Sequence, residues 1–335
     1  MKRVTIKDIA RELMLSVSTV SRAIVGDKNI RRETKERVLE AAERLGYRPN
    51  PVATSLQAGR TNAVGIIVPE MTTPFAAQII DGVQEVLNSH GIKVVVANSH
   101  ESWERERENI SQLERFMVDG MIVGLCDYKQ NREEYLRLQR SAMPLVFVDR
   151  IPHNMEVSQV IVDDYIKSFF LVEHLVRSGR KRIVYLGGPD YVYNSVERYR
   201  GYRDAMAKFG VEVDPQWVTQ GGLSFEDGAA SVRSLIESGV EFDAIFAFTD
   251  TLAIGAMNEL REMGYSVPKD VAVAGFSGTV LSTIVHPQLT TIEAPLRQMG
   301  VEAAKLILEK ILKPRPPKRS IVLDAEIKYR ASTEQ

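Results

Sequence analysis

Between residues 5 and 22 the chain places small polar side chains and one arginine at spacings suited to the groove of a nucleic acid. Thr5-Ile6-Lys7-Asp8-Ile9-Ala10 leads into a turn, and Ser16-Val17-Ser18-Thr19-Val20-Ser21-Arg22 follows it. This is helix-turn-helix spacing. Small polar residues at the start of the second helix let its backbone approach phosphates and supply hydroxyl donors. Val17, Ser18 and Arg22 project from its outer face, and Arg22 carries the planar fork that reads guanine O6 and N7. Catalytic patterns are missing by comparison. Gly187-Gly188-Pro189 and Gly221-Gly222 are isolated glycine pairs, with no GxGxxG or GxxxxGKS between a strand and a helix. Five histidines form no HExxH and no pair at metal-ligand spacing, and no Ser/His/Asp or Cys/His order emerges. One cysteine, Cys126, excludes an internal disulfide and a cysteine zinc cluster. The expectation is a protein that is not an enzyme and uses no metal or cofactor.

The elements that must hold these residues read as three short helices. Thr5 caps the first, whose apolar stripe is Ile6, Ile9, Ala10 and Leu13, with Asp8 as its capping-box partner. Ser16 starts the second, with Val20, Ala23 and Ile24 turned inward. The third runs from about residue 32 to 45 over Thr34, Val38, Ala41, Ala42 and Leu45, and Gly46 stops it. Tyr47-Arg48-Pro49-Asn50-Pro51 breaks regular structure, and residues 52–57 form a short helix-compatible stretch. From residue 62 short apolar runs alternate with amphipathic helical stretches. Strand candidates are 64–69, 93–97, 120–125, 145–149, 160–163, 182–187, 244–249, 271–276, 289–293 and 320–323. Alternation of this length implies parallel sheets covered by helices on both faces, most simply two sheets with a cleft between them.

Length and composition bound the reading. A chain of 335 residues holds two or three domains. With 44% hydrophobic and 26% charged residues it is globular rather than disordered or fibrous. No apolar run reaches the roughly 18 residues of a membrane helix. The N-terminus enters a charged amphipathic pattern at once, so no signal peptide is expected and a cytoplasmic location is. The net charge of −1 conceals an asymmetry: residues 1–60 hold 13 Lys+Arg against 7 Asp+Glu, the rest 30 against 37. A basic head on a mildly acidic body suits a polyanionic partner.

The residues 4–10, 17–22 and 37–50, ending in Arg-Val-Leu-Glu-Ala-Ala-Glu-Arg-Leu-Gly-Tyr-Arg-Pro-Asn, resemble the head of the LacI/GalR family of bacterial repressors. The likeness continues through Gly65-Ile66-Ile67-Val68-Pro69, Thr249-Asp250, Ala253-Ile254-Gly255-Ala256, 271–276 and Pro287-Gln288-Leu289-Thr290-Thr291-Ile292, in the family's order. It implies a helix-turn-helix head over 1–48, a hinge helix or linker over 49–60, and a two-lobed periplasmic-binding-protein-like α/β body over 61–335. Lobe 1 would take about 61–161 and 293–322, lobe 2 about 162–292 and 323–335. Val17, Ser18 and Arg22 become the major-groove candidates. Thr5, Ser16, Thr19, Ser21, Asn29, Thr34, Tyr47 and Asn50 become backbone contacts, although capping and core satisfaction explain the hydroxyls equally well. Two departures stand out: Val25 where an asparagine is frequent, and Arg31 where a serine usually caps the third helix. In the hinge, Asn50 suits a cap and Pro51 the first helical position. Val52, Ala53 and Leu56 make an apolar edge, and the resemblance assigns Leu56 to the minor groove. A helix so short is unstable alone, so it should form only when two copies pack over DNA.

In the body the resemblance places an effector among Phe75, Asp149, Arg150, Asp163, Asn194, Arg198, Phe225, Asp250 and Ser277, where strand ends of both lobes meet. Arg198 is the foremost, since a bidentate donor suits vicinal hydroxyls, carboxylates or phosphates. Here too there are departures. Leu223 stands where an aromatic often stacks, Gly275-Phe276-Ser277-Gly278 lacks the aspartate common after Gly-Phe, and Ala294 replaces a glutamine. The partners implied are a double-stranded DNA operator, a sugar, sugar phosphate, sugar acid or nucleoside effector, and a second copy in a homodimer, with no membrane. A solute-binding protein without a DNA role, an activator, and a regulator driven by a phosphoprotein are the alternatives.

Overall fold

The computed structural model describes residues 4–47, 60–313 and 316–334. The chain divides into two compact units, Met1–Thr61 and Asn62–Gln335.

The first unit holds three helices: α1 (Ile6–Leu13), α2 (Val17–Ile24) and α3 (Arg32–Arg44). The backbone N–H of Thr5 donates to the Asp8 carboxylate at 2.9 Å, closing the start of α1. Met14 ends α1 in the left-handed region, at φ 50°, and is 94% exposed. Ser16 then caps α2 by accepting the Thr19 N–H at 3.0 Å. The helices close over Ile9, Ala10, Val20, Ala23, Val38, Ala41 and Ala42, a core of small side chains that lets them pack tightly. Arg31, at the N-cap of α3, makes no capping bond with its side chain. Gly46 follows α3 at φ +68°, where a side chain would be strained.

The second unit contains two six-stranded sheets. One runs β11 (Ser320–Leu323), β5 (Ser158–Val162), β4 (Leu145–Val148), β3 (Gly120–Val123), β1 (Ala63–Val68), β2 (Lys93–Asn98), all pairs parallel. The other runs β12 (Glu326–Lys328), β10 (Thr290–Glu293), β9 (Ala272–Ser277), β8 (Ala244–Ala247), β6 (Ile183–Leu186), β7 (Val218–Thr219), parallel except for the edge pair of β12 and β10. Central strands such as β6 and β8 are wholly buried, which is why they read as unbroken apolar runs. The two-residue β7 and three-residue β12 were not among the strand candidates.

Parallel neighbours require helical crossovers, and the helices pack in pairs: Pro74–Ser89 on Leu296–Leu312, Asp164–Arg177 on Tyr193–Lys208, and Phe225–Glu237 on Asp250–Glu262. Gly82 and Gly300 permit the first pairing, since a Cβ at either would strike a carbonyl of the facing helix. The chain passes between the sheets three times: from β5 into Asp164–Arg177, from β10 into Leu296–Leu312, and from β11 to β12. Among the described residues no helix is long and apolar enough to cross a membrane.

Candidate functional site

In the head, the start of α2 is a cluster of hydroxyls. Ser16 Oγ lies 2.8 Å from both Ser18 Oγ and Thr19 Oγ1. Val17, Ser18 and Arg22 are exposed on one side of α2 while Val20 and Ala23 are buried on the other. The arginines of the head divide. Arg11 pairs with Asp8 at 3.6 Å, Arg32 with Glu36 at 2.8 Å, and Arg44 with Glu12. Among the described residues Arg22, Arg31 and Arg37 enter no ion pair, and of these Arg22 alone lies on α2.

The other head candidates are placed as follows. The Thr5 hydroxyl donates to Asp8 at 2.6 Å, so it is engaged in the cap. Asn29 is exposed and its backbone N–H is held by Asp27 at 2.9 Å. Ser21 and Thr34 are half-buried, and Tyr47 packs against the small core. Asn50, Val52, Ala53 and Leu56 lie outside the described residues.

In the body, a cavity of about 700 Å³ opens between the two sheets. Eight of the nine effector candidates line it: Phe75, Asp149, Arg150, Asn194, Arg198, Phe225, Asp250 and Ser277. Each comes from the C-terminal end of a strand or the start of the following helix, where backbone turns inward. Two of them sit at positive φ without being glycine, Asp149 at 62° and Ser277 at 131°. Strain of this kind is kept where surrounding contacts fix a side chain in a required direction.

Asp163 is not part of the cavity. It is exposed and caps Asp164–Arg177 by accepting the Ile166 N–H at 2.9 Å. Its neighbour Asp164, which sequence reasoning passed over, is the carboxylate that turns inward. It is 8% exposed, accepts Arg198 Nε at 2.7 Å and receives Asn194 Nδ2 at 3.0 Å. The adjacent pair Asp163-Asp164 carried the signal: at a helix start one carboxylate caps and the next rotates by about 100° onto another face.

Arg198 is not a free donor. It is 3% exposed, gives Nη1 to the Phe248 carbonyl at 2.6 Å, and lies 3.5 Å from the Phe276 ring centroid. Arg150 is likewise bound, bidentate, to Glu101 at 2.7 and 2.9 Å. Burial pushes the Asp164 carboxyl up to about 6 against the opposing pull of Arg198. Asp250 is also pushed up to about 6 by burial, although it accepts the Thr291 hydroxyl at 2.5 Å and the Thr279 N–H at 3.0 Å. Burial raises Asp149 as well, opposed by Arg198. The cavity is therefore an apolar chamber whose polar groups are largely tied to one another.

Cys126 is buried, and burial raises its thiol well above the ordinary range, so no thiolate nucleophile is available there. Among the described residues no group of three His, Cys, Asp or Glu side chains is placed to hold a metal ion.

Comparison with known proteins places this geometry. Residues 5–50 match the family model of bacterial regulatory proteins, lacI family. Residues 61–333 match the model of periplasmic binding proteins and sugar binding domain of the LacI family. Catabolite control protein A of Priestia megaterium is 31% identical over 332 residues, covering 99% of each chain. The transcriptional repressor CytR of Escherichia coli (strain K12) is 29% identical over 329 residues, covering 98% of this chain and 96% of that one. A solved transcriptional regulator CelR–cellobiose complex has a TM-score of 0.75 at 29% identity, covering 98% of this chain and 100% of that chain. Matched across nearly its whole length, the chain belongs to the LacI family of bacterial regulatory proteins, which are DNA-binding transcriptional regulators and not enzymes.

Proposed function

We propose that this chain is a ligand-responsive repressor that binds a near-palindromic operator as a homodimer in the cytoplasm. The observation that carries the DNA half is the exposed face of α2, where Arg22 stands beside Val17 and Ser18 on the side away from the buried Val20 and Ala23 and pairs with no carboxylate among the described residues. One head makes few base contacts, so useful specificity requires two half-sites. Ser16, Thr19, Ser21, Asn29, Thr34, Tyr47 and Asn50 would then fix the register on the phosphates, with Thr5 holding the start of α1, while Val52, Ala53 and Leu56 form the hinge edge that meets the second copy and Leu56 enters the minor groove.

The effector half rests on the cavity between the sheets. Phe75, Asp149, Arg150, Asn194, Arg198, Phe225, Asp250 and Ser277 surround a volume in the range of small-molecule sites. The similar regulator CelR is solved as a complex with cellobiose, which puts carbohydrates first among the candidate ligands. The test is selection of binding sites from random DNA, followed by anisotropy on the enriched site with and without candidate metabolites. Enrichment of a palindrome bound by two copies, with affinity altered by a metabolite, is expected. Enrichment of no motif, or a monomer bound at a single half-site, overturns the reading.

A further inference from the structure

Away from the cavity, a second set of contacts joins the halves of the body built on the two sheets. Residues 126–131 follow β3 of the first sheet, and Asp190, Tyr191 and Tyr193 follow β6 of the second. The Tyr128 N–H donates to the Tyr191 carbonyl at 3.1 Å. The Tyr128 and Tyr193 rings meet edge-on at 5.7 Å. His153, from the loop after β4, lies 5.1 Å from the Tyr193 ring and 6.0 Å from that of Tyr128. Ring centroids about 4.5–7 Å apart are within the range of favourable aromatic pairing. Lys129 Nζ lies 3.6 Å from Asp190 and 5.3 Å from the Tyr128 ring. None of these six residues lines the cavity, so their contacts need no ligand to form.

A buried carboxylate that does not line the cavity either presents this loop. Glu106, on the helix Trp103–Arg115, is 0% exposed. It accepts the Cys126 N–H at 2.7 Å at one end of the loop and Asn131 Nδ2 at 2.9 Å at the other. The Tyr135 hydroxyl also donates to it, at 2.6 Å. Burial raises its carboxyl, against the pull of these hydrogen bonds. Burying a carboxylate is costly, and here two of its three donors come from the ends of one short segment. Asn131 shows the same priority. It stands at the start of Arg132–Arg140 with φ 53°, where an asparagine commonly caps the helix. Its amide goes instead to Glu106 and, at 2.7 Å, to the Trp103 carbonyl. Connecting loops are usually mobile, whereas this one is tied down at both ends.

We propose that residues 126–131, pinned by Glu106, form a latch that keeps the two halves of the body together whether or not the cavity is occupied. Glu106 is the positioning residue, and Tyr128 and Lys129 engage Tyr191, Tyr193 and Asp190. The latch sets the arrangement of the lobes that a ligand meets. A ligand that favours another arrangement has first to overcome it, so these residues tune the response without touching the ligand.

The test is a distance between spin labels on the full chain. Glu108→Cys and Ser234→Cys place exposed thiols on helices of the two halves, and the native Cys126 is buried and stays unlabelled. Pulsed electron spin resonance with no added ligand should find one narrow distance in this background. Tyr193→Ala combined with Lys129→Ala should shift its mean by more than about 2 Å. Tyr193→Phe, which keeps the ring, should leave it in place. Glu106→Gln sets an amide N–H against the Cys126 N–H, so it should shift the mean as the double variant does, with circular dichroism showing the fold retained. A merely structural role for Glu106 would lower the melting temperature and leave the distance unchanged. If Glu106→Gln does not fold, the surface substitutions alone decide. A broad distribution in the starting protein, an unchanged mean in the double alanine variant, or an equal shift in Tyr193→Phe overturns the latch. A folded Glu106→Gln with an unchanged mean removes Glu106 from it.

Discussion

Replacing Arg198 by methionine, which retains bulk and removes the charge, should destabilise the body by about 3–5 kcal/mol near neutral pH. The figure comes from what would be left behind. Asp164 would remain buried with one hydrogen bond from Asn194 and no counter-charge, and the Phe248 carbonyl would lose its donor. The cost should also depend on pH in a definite direction. In the folded protein Asp164 titrates at about 6 against an ordinary value of 3.8, so the folded state holds its proton more tightly than the unfolded state does. For an acid with a raised folded value, stability is greatest below the unfolded value and falls as pH rises through the folded one. Removing Arg198 takes away the interaction that keeps Asp164 as low as about 6, so the decline extends to higher pH in the variant. The gap between wild type and Arg198→Met should widen between about pH 5 and about pH 8, by about 1.4 kcal/mol for each further pKa unit. Asp250 titrates in the same range but is present in both proteins, so its contribution cancels in the difference. Urea denaturation at several pH values measures the gap. Adding Asp164→Asn to Arg198→Met should recover at least about 1 kcal/mol at the upper end of that range. A gap that stays constant with pH, or a double variant no more stable than Arg198→Met, would refute the buried-pair argument.

Three other outcomes can be checked. Arg22→Ala should cost about 1–3 kcal/mol of operator binding and relax preference at one base pair in each half-site; selection from random DNA returning the wild-type motif contradicts the assignment. Leu56→Ala should weaken operator binding in anisotropy while calorimetry finds effector affinity without DNA unchanged; equal losses in both would place Leu56 elsewhere. Asp163→Ala should lower the stability of the body by about 0.5–2 kcal/mol through loss of a helix cap, with effector affinity unchanged; a large loss of affinity would return Asp163 to the site.

Much of the fold is legible in the chain because local signals agree with the global arrangement. The Thr5–Asp8 contact, the Ser16 cap and the small inward residues of α1–α3 lie within a few positions of one another, and the buried parallel strands read as short apolar runs. The strands β7 and β12 are too short to show any period. The site is legible in its residue types but not in their partners. Arg198 reads as a donor awaiting a ligand, yet the atoms that occupy it are 34 and 50 positions away, on Asp164 and Phe248. No spacing rule reaches that far. Physical chemistry does constrain the outcome, since a guanidinium this deeply buried has to be paired.

The same network explains how occupancy of the cavity could be felt by the rest of the body. Its two walls already touch at several points. Asn194, on Tyr193–Lys208, donates to Asp149 at the end of β4. Near it the Tyr128 N–H donates to the Tyr191 carbonyl at 3.1 Å, the rings of Tyr128 and Tyr193 meet edge-on at 5.7 Å, and Lys129 lies 3.6 Å from Asp190. Each such link is worth about 1 kcal/mol or less. A coupling of about 1–3 kcal/mol, typical of ligand-dependent regulators, is therefore the work of only a few of them. Asn194 lines the cavity, so a ligand there acts beside the very amide that bridges the walls. Affinity alone would not produce a response, because a ligand held equally well by two arrangements of the lobes shifts neither. The response has to come from contacts, such as those of Asn194, that exist in one arrangement and are lost in the other.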